Sequence, residues 1–92
     1  AGKPQLDNLL TQLHRLVEED YTITPDVQAE ALEQVQLISE ALQIKDKLID
    51  KAQVRVHIRL LRGILAEQPA AASLSSEVNQ ILAEVYRLFD FN

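Results

Sequence analysis

Apolar positions recur at helical spacing along almost the whole of this 92-residue chain. Between Pro4 and Asp20 they fall at Leu6, Leu9, Leu10, Leu13, Leu16 and Val17, which places all six on one narrow helical stripe. Pro4 suits a first turn, and the acidic run Glu18-Glu19-Asp20 opposes the negative end of the helix dipole, so the first helix is expected to stop there. Residues 22 to 26 read as a link ending in a cap, with Thr24 as N-cap, Pro25 in the first helical position and Asp26 facing the positive dipole end. The second helix then carries Val27, Ala31, Val35, Ile38 and Leu42 within an arc of about 80°, and leaves Leu32 and Leu37 off that arc on opposite sides.

No Gly or Pro lies between Asp26 and Arg62, so the next boundary is weakly marked. One continuous helix is compatible with the spacing, but it would be far longer than a domain of this size normally holds, and Lys45 would occupy its apolar seam. The break is placed near Gln43 to Asp46. A third helix over roughly Asp46 to Glu67 has two apolar faces, one of Val54, Ile58, Leu61 and Leu65 and one of Ile49, Ala52, Val56 and Leu60, with Lys51, Arg55, Arg59 and Arg62 as a basic ridge between them. A helix apolar on two sides is expected to lie centrally and touch more neighbours than its partners do. Gln68-Pro69 ends it. Ala71, Leu74, Val78, Ile81, Leu82, Val85, Leu88 and Phe89 share a stripe in a fourth helix that starts either at Pro69 or later, with Ser75 as its cap. The expected fold is all-α, an antiparallel four-helix bundle forming one domain over residues 1–92.

Composition narrows the function more than it names it. Fifteen Leu, seven Ile and seven Val suffice for one core, but a chain this short has little material left for a deep catalytic cleft, so a non-enzyme without cofactor or small-molecule substrate is expected. The absence of cysteine removes disulfides, thiolate metal sites and a cysteine nucleophile. No apolar run approaches the roughly 18 to 20 residues of a membrane span, which points to a soluble, cytoplasmic chain, and Ala1-Gly2-Lys3-Pro4 reads as an excision from a larger protein.

Charge is segregated. Residues 1–44 carry two basic and eight acidic side chains, a net of −6; residues 45–65 carry six basic and two acidic, a net of +4; residues 66–92 carry one basic and four acidic, a net of −3. The basic ridge spans about 17 Å, enough to follow several phosphates, but the chain is acidic overall and the ridge has no aromatic companion for base stacking. Nucleic acid is therefore the second choice of partner, behind protein. His14 and Glu18 stand one turn apart but supply too few ligands for a metal, and Ser73, Ser75 and Ser76 lack an evident base and read as capping residues. Gly63, alone inside a helix, reads as a point of close helix packing. Leu32 and Leu37, with Tyr86 and the terminal Phe91, form the candidate association surface: the third helix is expected to cover one leucine, leaving the other for a homodimer or another protein.

The run Leu60-Leu61-Arg62-Gly63-Ile64-Leu65-Ala66-Glu67-Gln68-Pro69-Ala70-Ala71, the later Asn79-Gln80-Ile81-Leu82 and the Leu88-Phe89 ending resemble the short helical modules at the C-termini of cyanobacterial multidomain proteins, including pentapeptide-repeat and effector-associated proteins. Leu9 to Tyr21 followed by a Thr-Pro pair is similar to the opening of those modules. The resemblance implies a bacterial association or adaptor role and carries no catalytic residue.

Overall fold

The computed structural model describes residues 3–42 and 51–89. All its regular elements are helical: α1 (Lys3–Glu19), α2 (Pro25–Leu42), α3 (Lys51–Ala66) and, through a 3₁₀ turn at Pro69–Ala71, α4 (Ala72–Phe89). None of these helices is long and apolar enough to cross a membrane. The expected break at Gln43–Asp46, like Ile49, lies outside the described residues. The one-helix alternative nevertheless fails, because Gln34 of α2 and His57 of α3 touch at 2.9 Å. Twenty-three residues of continuous helix would hold them about 35 Å apart.

The α1–α2 link is built locally. The carboxylate of Asp20 accepts hydrogen bonds from the Thr22 amide at 2.7 Å and from the Thr22 hydroxyl, Ile23 is buried in the core, and Thr24 Oγ1 accepts from the Val27 amide at 3.3 Å as the cap of α2. Gln28 supplies what the α1 terminus lacks: its side-chain amide donates to the carbonyls of Val17 (3.1 Å) and Glu18 (2.8 Å), which no further turn of α1 can satisfy. At the other described link, Gln68 is extended (φ −110°, ψ 94°) as a residue before proline should be, and Pro69 starts the turn that leads directly into α4. The earlier of the two expected starts is therefore the one adopted, and Ser75 lies inside the helix rather than capping it.

Each helix gives one stripe to a shared core: Leu6, Leu10, Leu13 and Val17 from α1; Ala31, Val35, Ile38 and Leu42 from α2; Val54, Ile58, Leu61 and Leu65 from α3; Leu74, Val78, Leu82 and Val85 from α4. The helices pack as a ring, with α2 and α4 each lying against both α1 and α3. Among the described residues no diagonal pair packs directly. Buried side chains among them are all apolar, so the core is held by area removed from water and by fit, without an internal polar network.

Candidate association surface

In such a ring each helix has two neighbours and one outward side, and α3 is no exception. Its α2 flank is marked by His57, whose Nδ1 donates to Gln34 Oε1 at 2.9 Å while its Nε2 accepts from the Gln53 amide at 3.1 Å. Its α4 flank is marked by Arg62, whose guanidinium lies 5.5 Å from the centre of the Tyr86 ring. Between these flanks, on the far side from the core, the second apolar face faces solvent: Ala52, Val56, Leu60 and Gly63 are all exposed, Val56 at 44% and Leu60 at 48%. The four fall within an arc of about 80°, opposite the Val54-Ile58-Leu61-Leu65 stripe. The expectation that α3 is central, with both faces covered, is thus corrected. A four-membered ring has no central position, and its geometry covers one face per helix.

Gly63 also departs from its expected role. Among the described residues nothing stands within 4 Å of where its Cβ would be, so no described helix packs closely there. The glycine forms a notch in the outward face.

The proposed leucines part company. Leu32 is half-buried against the core, one turn along α2 from Gln28, which reaches the end of α1; its cover comes from the α1 side rather than from α3. Leu37 is half-buried on the opposite flank of α2, the flank on which Gln34 meets His57 of α3. Tyr86 packs on the core beneath Arg62, and Phe91 lies outside the described residues. Periodicity alone predicts a covered face at Val56 and Leu60, because it reports apolar character without identifying a neighbour.

The basic ridge lies between the buried and outward stripes on the α4 side. Lys51 and Arg59 are exposed, Arg55 and Arg62 half-buried. Arg62 is drawn in between α3 and α4: its Nε is buried with no hydrogen-bond partner among the described residues, and its guanidinium lies over the Tyr86 ring. An aromatic does therefore accompany the ridge, contributed by α4, but the Arg62 guanidinium lies against its ring. On the other side of the outward face, α2 presents Asp26, Glu30 and Glu33, all exposed. The apolar strip thus runs between a basic flank and an acidic one.

Elsewhere the chemistry-bearing groups stay local. His14 Nδ1 and Glu18 Oε2 are 3.5 Å apart in a shallow groove that also holds Asp7, Arg15 and Ser39. No group of three or more potential ligands is assembled among the described residues. On α4, Arg87 donates to Glu84 Oε2 through Nε at 3.2 Å, and this contact lowers the Glu84 carboxyl below its ordinary value and raises Arg87. No family model, curated protein or solved structure matches this chain.

Proposed function

We propose that this chain is a non-catalytic helical module for protein association, folded as an antiparallel four-helix bundle, and that the outward face of α3 is its contact surface. The antiparallel arrangement is supported by the α1–α4 grooves, where Leu9 and Leu88 line one end and Leu16 and Ile81 the other. The observation that carries the functional reading is the exposure of Val56 and Leu60 in register on one helix, beside a glycine against which none of the described residues packs. Interfaces of this kind have apolar, charge-poor centres and charged rims, which is the layout found around Val56 and Leu60. The cyanobacterial resemblance implies the same class of role.

Val56→Glu combined with Leu60→Glu tests the reading. Both side chains face water, so the variant should keep its helix content and unfolding midpoint while losing protein association. A variant that unfolds would make the face part of the chain's own core and end the proposal. Duplex or single-stranded nucleic acid should bind the unaltered chain no more tightly than about 10⁻⁴ M near physiological salt. Micromolar binding with a steep salt slope, lost in Arg55→Glu with Arg59→Glu, would move the function to the basic ridge.

A further inference from the structure

We infer that the occupant of the α3 face is a second copy of this chain, with the two α3 helices side by side and parallel, and with the Arg59 flank of each copy against the Glu30 flank of the other. This rests on the association reading and on the antiparallel fold above. The face is bounded by opposite charges, Arg55 and Arg59 toward α4 and Asp26, Glu30 and Glu33 on α2. A two-fold axis relating two such faces must lie in the plane between them. If it runs across the helices, α3 meets its counterpart head to tail and rotation sets basic flank on basic flank. If it runs along them, the α3 helices are parallel and each basic flank meets the partner's acidic flank. Charge selects the second arrangement.

The levels along the helices agree with it. Gln34 and His57 touch, so in antiparallel packing Glu30, one turn earlier on α2, stands level with residue 61 of α3, within about 3 Å of the height of Arg59. A rotation along the helix preserves height, so Arg59 of one copy and Glu30 of the other meet at the same level, twice per dimer. The strip between them would bring Val56 and Leu60 of each copy together, and the Gly63 notch lets the two backbones approach. Leu37, beside this face on α2, extends the apolar contact. The patch is small, so association is expected with a Kd on the order of 10⁻⁵ M.

Sedimentation equilibrium up to about 1 mM chain decides this, given that range of Kd. Arg59→Glu alone and Glu30→Arg alone should each weaken association at least ~10-fold, because each places two like-charged pairs in the dimer. Mixing the two variants in equal amounts should restore it, since every contact in the mixed dimer is again between opposite charges. Both substitutions in one chain should also associate as the unaltered chain does. Circular dichroism on each variant confirms the fold. An unaltered chain that stays monomeric throughout overturns the second copy as occupant; if Val56→Glu with Leu60→Glu is also folded, the face itself stands and its partner is another protein. Dimerisation that the charge reversals do not affect, or that mixing does not restore, overturns the parallel arrangement.

Discussion

The two sides of α3 are written in nearly the same letters and have opposite fates. Val54, Ile58, Leu61 and Leu65 are at most 1% exposed, whereas Val56 and Leu60, on the same four turns, are close to half exposed. What separates them is not residue type but the number of neighbours a ring of four helices can supply. A hydrophobic stripe therefore states that a face can be buried, and the packing of the other helices decides whether this chain buries it. The exposed side of α4 toward α1 makes the contrast plain, since there the helix presents the ion pair of Glu84 and Arg87, which water solvates well.

The largest effect expected from this contrast comes from substituting adjacent leucines. Leu61→Ala removes a side chain with no exposed area and should cost about 2–5 kcal/mol, a large share of the stability of so small a domain. Leu60→Ala, one residue along, should change stability by no more than about 0.5 kcal/mol. Urea unfolding at a concentration where the chain is monomeric measures both. Equal losses would mean that Leu60 is covered within the chain and would erase the distinction between the faces.

Gly63 offers a smaller effect with a sharper signature. A methyl group added there meets none of the described residues within 4 Å, so Gly63→Ala should stabilise the monomer by about 0.5–1 kcal/mol through the backbone freedom it removes from the unfolded chain. The same methyl fills the notch between paired helices and should weaken association several-fold. Opposite signs in the two measurements are what an interface glycine predicts. A stabilised chain with unchanged association would place Gly63 outside the contact.

How far the sequence could be read follows from the range of each interaction. The Thr24-Pro25 cap, the Gln68-Pro69 stop and the core stripes depend on residues within a few positions of one another; the cap and the stop are found where the sequence places them, and each stripe supplies the buried positions of its helix, with Leu9, Leu16, Val27, Ile81 and Leu88 half-buried at its edges. Gln28 was missed because a glutamine in the first turn of a helix has no pattern of its own; its role exists only once α1 lies beside it. Arg62 was grouped with the other ridge cations because its partner, Tyr86, is twenty-four residues away on another helix. Leu32 and Leu37 were rightly separated by helical phase, but which neighbour lies on which flank of α2 is a fact about the order of helices around the ring. The same missing fact left the outward face of α3 looking like a second core face.

The smallest expected effect concerns the polar foil on α4. The Arg87 guanidinium holds the Glu84 carboxyl below its ordinary pKa, chiefly through their hydrogen bond, so the stabilisation they contribute is fully present above the ordinary carboxylate range and is lost as pH falls through the lowered value. Both side chains are exposed, so that contribution is heavily screened. Glu84→Gln should therefore shift the thermal midpoint near neutral pH by an amount at the edge of resolution, with the difference vanishing in acid and in high salt. Association should be unaffected, because α4 turns this side away from the α3 strip and toward α1, where Glu84 and Arg87 line a groove with Gln5 and Asn8. A loss of association in Glu84→Gln comparable to that in Arg59→Glu would show that charge anywhere on the surface governs self-contact, and would remove the special standing of the face around Val56 and Leu60.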